Sequence, residues 1–306
     1  MPKISRNRLL AYLALLANTA IWGLAVPIVK KGFDHGLTPN TFLTSRMIIA
    51  LFSSLPLLYL FRNNKTFTKT LSLSNLTKII PLEILGTVIT LFLLYQGVLH
   101  TTSIQASLIS ITAPIFIVLG GIIFLKEKQE GHEWFGLFFT LIGTIILVIN
   151  PLISGSFNGF LTGNLLILSQ NLTLAVYYLL SKKTYHHLNK LAIVHVSFWV
   201  GTIGFTTISL FQGLSPLNSF ISLLDPNNLW PLIAVLYMAI PGSLLALTLY
   251  LYGQDLIEAS EASLFAYLQP IFAIPASVIL LHESFTFIEV TATIILFLGV
   301  YIAEKR

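Results

Sequence analysis

Two amides lie inside long apolar stretches of this sequence, where polar groups are costly and therefore tend to serve a function. Asn18 and Gln170 each stand near the middle of such a stretch. Either amide can line a solute cavity or form a hydrogen bond that only holds helices together. Trp22 follows Asn18 by one helical turn and shares its face. An indole beside an amide suits a solute with apolar and polar parts, but Trp also anchors helices at membrane interfaces.

Hydroxyl side chains form a second set that can orient a solute by hydrogen bonds. Ser107 and Ser263 can bind a solute, or they can let two helices pack closely. Tyr95 ends one apolar stretch and Tyr177 lies within another, and Tyr near the end of a span is also a common interface anchor. The predicted substrate-binding residues are Asn18, Trp22, Tyr95, Ser107, Ser110, Gln170, Tyr177, Ser263 and Tyr267.

Three ionisable residues within the apolar stretches are candidates for charge or proton coupling. Arg46 can pair with Glu83, meet an anionic group of a substrate, or extend its charge to the membrane surface. Glu83 and His195 can carry protons for coupled antiport if their surroundings shift their pKa into the working range. Both lie toward the cytoplasmic ends of their predicted helices.

Pro114 and Pro270 are predicted kinks, because a proline within a helix removes a backbone donor and leaves a carbonyl available. Such kinks can serve gating or simply fix the geometry. The pairs Lys126-Glu127 and His282-Glu283 are interpreted as loop caps or salt bridges at the two membrane faces.

Catalytic motifs are absent from the sequence. Neither GxxxxGK[ST] nor HExxH occurs, and there is no cysteine to form a thiolate metal site. Asp225, His186, His187 and His195 could form the site of an intramembrane enzyme, but the predicted topology places them on opposite membrane faces. We therefore expect no catalytic residue, no cofactor, no bound metal and no nucleic-acid partner.

The elements that hold these residues follow from composition. Of 306 residues, 55% are hydrophobic and only 9% are charged, against roughly 25% charged in a soluble domain. Apolar runs separated by charges, Pro, Gly or Asn predict an all-α integral membrane protein with ten transmembrane helices. The predicted spans are 9-30, 39-61, 77-99, 103-125, 133-150, 161-181, 190-213, 229-252, 260-281 and 285-303.

Basic residues predict the orientation of these spans. With the N-terminus inside, fourteen Lys and Arg residues fall on the cytoplasmic side, only Lys30 and Lys31 fall outside, and Arg46 lies in a span. This asymmetry follows the positive-inside rule and places both termini in the cytoplasm of a multi-pass protein in the cell (inner or cytoplasmic) membrane. The formal charge of +5 is thus a topology signal, because the basic residues lie in short gaps and form no patch.

An internal repeat divides the chain into halves at approximately 1-152 and 153-306. A shift of 156 residues aligns Ala106-Ser107-Leu108 with Ala262-Ser263-Leu264, and Pro114-Ile115-Phe116 with Pro270-Ile271-Phe272. Earlier in each half a shift of 152 aligns Asn18 with Gln170. Because each half has five spans, the second enters the membrane from the opposite side. The sequence therefore predicts two inverted five-helix repeats, an architecture that recurs in secondary transporters.

The ordered motifs resemble the EamA-type branch of the drug/metabolite transporter superfamily over nearly the whole chain. The residues that carry the resemblance are Trp22-Gly23, Lys30, Ala106-Ser107-Leu108, Pro114, Phe124-Leu125-Lys126-Glu127, Gly136, Gly143, Tyr177, Ser181-Lys182-Lys183, Ala262-Ser263-Leu264, Pro270, Leu281-His282-Glu283 and Gly299. The resemblance implies a central cavity lined by helices 1, 3, 4, 6, 8 and 9, and commonly export of metabolites. Leu174 departs from the pattern, since Trp is frequent there.

The sequence thus predicts a permease that works by alternating access and exports small organic metabolites. Amino acids and related neutral or zwitterionic compounds are favoured, because no buried acidic pair is evident for a cationic drug. The expected partners are a small-molecule substrate, membrane lipids and, if Glu83 or His195 carries them, coupled protons. A membrane scaffold that transports nothing and an intramembrane enzyme remain the alternatives.

Overall fold

The computed structural model describes residues 6–61, 63–126, 130–153, 160–257, 262 and 264–304, and every regular element within these ranges is a helix. Eight helices are long and apolar enough to cross a membrane, and two shorter apolar helices follow. In chain order they are α1 Arg6–Asp34, α2 Pro39–Phe61, α3 Leu73–His100, α4 Ser103–Phe124, α5 Gly131–Ile153, α6 Phe160–Thr184, α7 Lys190–Phe211, α8 Trp230–Leu256, α9 Gln269–Leu281 and α10 Phe287–Glu304. The short helices Lys65–Thr70 and Pro216–Ser222 lie in connections. The chain is therefore a multi-pass membrane protein, while its ten-span count and inversion stay predictions.

Side chains satisfy the backbone donors at several helix ends, as a low-dielectric surrounding demands. Asn189 Oδ1 accepts the N–H groups of Leu191 and Ala192 at the start of α7. Glu283, far along the chain, accepts the N–H groups of Ser103 and Ile104 at 2.6 and 2.9 Å and so caps α4. The cap predicted for Glu283 is confirmed, while its counterpart Glu127 lies outside the described residues.

Helix interruptions recur at matching places in the two halves. A π-helical segment occupies Ile84–Ile89 within α3, and another occupies Ile240–Leu245 within α8, 156 residues later. Lys126 and His282, also 156 residues apart, both end a helix in the left-handed conformation, with φ of 56° and 55°. These correspondences support an internal repeat.

The two predicted proline kinks are helix starts. The first part of α4, Ser103–Ser110, ends in a turn, and a new helix runs over Ala113–Leu125 with Pro114 in its first turn. Pro270 is likewise in the first turn of α9, which follows the 3-10 turn Leu264–Leu268. A proline in a first turn removes a donor that has no partner within the helix. Each proline therefore begins a half-helix and does not bend a continuous one.

The halves pack against each other reciprocally. Helix α1 packs against α8 and α9 of the second half, and α6 packs against α3 and α4 of the first. Small residues permit these approaches: a methyl group added at Gly23 would lie 2.6 Å from the carbonyl oxygen of Gln269, and one at Gly163 would lie 2.6 Å from the His100 carbonyl carbon. The predicted halves 1-152 and 153-306 therefore share one core.

Candidate functional site

Glu83 forms a buried carboxylate site beside the π-helical segment of α3. Its Oε1 accepts the hydroxyls of Tyr177 and Tyr185 from α6 and the following turn, at 2.9 and 2.7 Å. Its Oε2 accepts the hydroxyls of Thr87 and of Ser197 on α7, at 2.9 and 2.6 Å. We call these five residues the Glu83 cluster. It joins α3, α6 and α7 through one side chain that is only 1% exposed.

The hydrogen bonds of the Glu83 cluster can accommodate both charge states of the carboxyl group. A carboxylate has about four acceptor positions, and four hydroxyls fill them, which fits the ionised form. When Glu83 takes up a proton, one hydroxyl must become the acceptor. Ser197 can do so because its Oγ lies 3.0 Å from the carbonyl oxygen of Ile193, which can take its hydrogen.

Arg46 forms a second buried centre, beside the π-helical segment of α8. Its Nη1 donates to the Tyr95 hydroxyl at 3.2 Å, and its Nη2 donates to Ser243 Oγ at 3.3 Å. The guanidinium also lies 6.0 Å from the ring centroid of Phe42 and 5.8 Å from that of Tyr95, which favours the cation. Arg46, Phe42, Tyr95 and Ser243 are called the Arg46 cluster. The arginine is 8% exposed, so its charge is buried within the bundle.

Asn18 and Trp22 contact the backbone of α8 near the same π-helical segment. Asn18 Nδ2 donates to the carbonyl oxygen of Ala246 at 2.8 Å, and Trp22 Nε1 donates to that of Gly242 at 2.9 Å. The Trp22 ring also lies 5.9 Å from the ring of Tyr250. Both side chains thus join the two halves, and their acceptor residues Gly242 and Ala246 lie on either side of Ser243 of the Arg46 cluster along α8.

His195 is fixed in a neutral form by its partners. The indole Nε1–H of Trp199 is a donor only and lies 3.0 Å from His195 Nε2, which must therefore be unprotonated. The opposite nitrogen, Nδ1, then carries the hydrogen and donates to Ser54 Oγ at 2.8 Å, while Ser54 donates to Leu51 O at 2.7 Å. Charging His195 would break its bond to Trp199, so this geometry favours Glu83 over His195 as a proton carrier.

Of the other predicted binding residues, two are buried with an unused polar atom, one is bonded within its own helix and one is partly exposed. Gln170 Oε1 and Ser107 Oγ are buried without a hydrogen-bond partner among the described residues. Ser110 Oγ donates to Ala106 O of the same helix turn at 2.7 Å. Tyr267 is partly exposed in the 3-10 turn before α9. Ser263 lies outside the described residues.

The residues of the alternative enzyme site do not meet. His186 and His187 contact each other on the surface after α6, and Asp225 is exposed in the connection before α8. No group of three or more metal-ligating His, Asp or Glu residues occurs within the described ranges. The arrangement therefore provides no support for the enzyme alternative.

Two cavities with polar side chains in their lining open at one end of the bundle. One of about 490 Å³ lies between the α1–α2 and α7–α8 connections and is lined in part by His35, Thr41 and Asn228. The other, about 330 Å³, is lined in part by Glu283 and Glu289. Burial raises the pKa of the Glu283 carboxyl, outweighing the opposite effect of its two backbone donors and of Lys30.

An apolar groove of about 710 Å³ runs along α2, α3 and α7. Among its lining residues, Ile84, Trp199 and Ile203 are large and exposed, which suits contact with lipid chains. Neither Arg46 nor Glu83 lines this groove or those two cavities. Both ionisable side chains are buried, Arg46 at 8% and Glu83 at 1% exposure.

Several members of the two clusters were not predicted from the sequence. Thr87, Tyr185, Ser197 and Ser243 all bond to an ionisable group. One signal was available, because Thr87 and Ser243 are hydroxyl residues separated by the repeat shift of 156. The pairing of Arg46 with Glu83 that the sequence left open does not occur, since each has other partners.

Comparisons with known proteins agree with this architecture. The model of the EamA-like transporter family matches residues 9–149 and 161–304. The uncharacterized transporter YetK of Bacillus subtilis (strain 168) is 27% identical over 282 residues, which cover 91% of this chain and 82% of YetK. The uncharacterized transporter YdfC of the same organism is 24% identical over 280 residues, covering 92% and 86%. One crystal structure aligns with a TM-score of 0.56 at 16% identity over 95% of each chain, which indicates a shared fold.

Proposed function

The chain belongs to the EamA-like transporter family, and on that premise we propose that it exports small organic metabolites by alternating access. The resemblance seen in the sequence is thereby confirmed, and the protein is a membrane transporter. Amino acids and related compounds are the favoured substrates. The proposed location is the cytoplasmic membrane, with both termini in the cytoplasm.

One observation carries the proposal: in each half, the π-helical interruption of a long apolar helix lies beside a buried ionisable centre. Beside the interruption of α3 this centre is the Glu83 cluster, and beside that of α8 it is the Arg46 cluster, in which Arg46 of α2 contacts Ser243. π-Helical turns inside α-helices are frequent at functional sites. Ionisable side chains inside spans typically belong to substrate or ion pathways. A scaffold would need neither feature.

Alternating access requires two packings of the same helices around a central site. The breaks before Pro114 and Pro270 and the two π-helical segments supply paired places where backbone can bend. The hydroxyls around Glu83 supply a contact between α3, α6 and α7 that depends on charge. Proton uptake at Glu83 is the proposed coupling step if transport uses a pH gradient.

Solute efflux from proteoliposomes tests the proposal. A panel of radiolabelled amino acids, nucleobases and organic acids would be loaded, and release would be followed with and without a pH gradient. Trp22→Ala is expected to slow release about tenfold or more, because it removes the contact with Gly242 beside the Arg46 cluster. Trp134→Ala, at a half-exposed residue of α5, is the matched control and should release solute at the wild-type rate.

Gln170→Ala provides an independent variant, since Gln170 is buried with an unused carbonyl oxygen. Release that needs the protein and falls in both variants supports a transporter with a site at the repeat interface. Folded protein that releases no member of the panel would contradict the proposal. Release that is equal in wild type, Trp22→Ala and Gln170→Ala would contradict the location of the site.

A further inference from the structure

Arg46 is a buried cation that no carboxylate balances within the described part of the chain. The ion pairs found there join Lys30 to Asp34 and His132 to Glu130. The two terminal nitrogens of Arg46 contact only the hydroxyls of Tyr95 and Ser243, and its Nε has no hydrogen-bond partner. Its positive charge is thus met by neutral groups alone.

This arrangement is unfavourable for a residue that only holds helices together. A guanidinium cannot lose its proton in a protein, and an uncompensated buried charge is strongly destabilising. The hydroxyl of Ser243 already donates to the carbonyl oxygen of Met238 at 2.7 Å, so it offers Arg46 a lone pair but no charge. A neutral side chain would join α2 to α8 at lower cost.

The guanidinium lies where a transporter would bind a charged group of its solute. Ser243 is the central residue of α8, with thirteen residues on either side in Trp230–Leu256, and Arg46 contacts it within the π-helical interruption. Binding sites of secondary transporters are typically formed where a helix is interrupted. Trp22 contacts the adjacent residue Gly242, so the indole and the guanidinium meet neighbouring residues of α8.

We propose that Arg46 binds the anionic oxygens of the transported solute, and that this anionic group is a carboxylate. The planar guanidinium matches a carboxylate through two parallel hydrogen bonds, and Trp22 suits an apolar part of the same solute. This inference rests on the proposed transport function and deepens it. It excludes fully neutral compounds from the substrates and retains amino acids and small organic acids.

Binding is tested without transport by thermal unfolding of the purified protein in detergent micelles. The probes are amino acids and short aliphatic and aromatic carboxylic acids, each paired with its primary amide, together with matched phosphate monoesters. Acids are expected to raise the unfolding temperature, because a ligand that binds only the folded state stabilises it. The paired amides should leave it unchanged.

Substitutions of Arg46 test whether the rise in unfolding temperature depends on this residue. Arg46→Gln is expected to weaken binding of an acid about 100-fold, and Arg46→Lys about tenfold, because lysine keeps the charge but lacks the planar fork. Lys31→Gln removes a positive charge at the end of α1 and should bind like wild type. Arg46→Gln alone should unfold at or above the wild-type temperature, whereas a structural role predicts a clear decrease.

The outcomes separate this inference from the proposed function. Transport of amides at the rate of their acids, or undiminished acid binding by Arg46→Gln, overturns the role of Arg46 while leaving a transporter. Stabilisation by phosphate monoesters alone overturns the assignment to carboxylates. If no acid in the panel binds or is carried, the inference is wrong. An absence of flux for every solute, with acids still binding through Arg46, would instead contradict only the transport function.

Discussion

Four hydroxyl groups hold the buried carboxylate of Glu83, which forms no ion pair among the described residues. Each oxygen accepts two hydroxyls, and the donors come from three helices. Hydrogen bonds to charged groups contribute more than neutral ones, about 1.5–3 kcal/mol each. The cluster is therefore expected to be a main source of cohesion between α3, α6 and α7.

Ser197→Ala should lower the free energy of unfolding by about 1.5–3 kcal/mol, because it removes the 2.6 Å bond to Glu83. Ser169→Ala is the matched control: Ser169 is exposed on α6 and donates only to Leu165 O of its own helix, so its loss should change stability by less than about 0.5 kcal/mol. Equilibrium unfolding in detergent micelles measures both. Equal effects of the two variants would show that the bond to Glu83 is not stabilising.

Glu83→Gln should abolish acceleration of transport by a pH gradient, since an amide cannot take up the coupling proton. Exchange driven by solute alone should persist. Transport by proteoliposomes with an imposed pH gradient measures the acceleration, and transport without the gradient measures the exchange driven by solute. Glu130→Gln, at an exposed carboxylate, should respond to pH like wild type. Proton-driven acceleration that survives in Glu83→Gln would assign the coupling step to another group.

The sequence identified the ionisable residues better than their partners. Arg46, Glu83 and His195 stood out because charge is rare in apolar stretches. Tyr185, Ser197 and Ser243 did not, because Ser and Tyr are common in spans and only tertiary packing brings them to a charge. Trp22 was found by its helical spacing from Asn18, but its contact with Gly242 depends on how α1 crosses α8.

At the scale of helices, the sequence predicted the positions of the two proline interruptions but not their form, and it did not predict the π-helical segments. Pro114 and Pro270 marked the right places, but the structure begins new helices there and does not kink old ones. Each π-helical segment contains a glycine, Gly86 or Gly242, and the second also contains Pro241. These residues disfavour a regular helix, but hydrophobic patterns do not show that the irregularity is a π-helical turn.

Gly163→Ala tests the packing of α6 against α3. The added methyl group would lie 2.6–2.8 Å from backbone atoms of His100 and Gly97, which cannot move aside easily. The expected loss is about 1–3 kcal/mol of unfolding free energy. At Gly131 nothing lies within 4 Å of the added methyl group, so Gly131→Ala should be neutral or slightly stabilising. Chemical denaturation in micelles measures the free energy of unfolding of both variants. Equal stability of Gly163→Ala and Gly131→Ala would contradict the close contact between α3 and α6.

For the whole molecule, the absence of cysteine makes the predicted topology directly testable. Ser72 and Asn227 are exposed in connections on opposite predicted faces. A membrane-impermeant maleimide should label Asn227→Cys in intact cells, and should label Ser72→Cys only after permeabilisation. Labelling of both variants in intact cells would contradict the inverted arrangement. The family and the apolar helices were predicted from the sequence and agree with the comparisons and the structure. The orientation is predicted only from the positive-inside rule.

The matched π-helical segments bear on the ancestry of the chain. Ile84–Ile89 and Ile240–Leu245 are flanked by α-helical stretches that begin and end at the same repeat positions, Thr90–His100 and Ala246–Leu256. The simplest history is that one ancestral five-helix segment already carried this irregular turn before the gene was duplicated. The charges do not recur in the second half, since Phe198 and Ala239 occupy the repeat positions of Arg46 and Glu83. On that history, the irregular turn is common to both halves, whereas their buried charges differ.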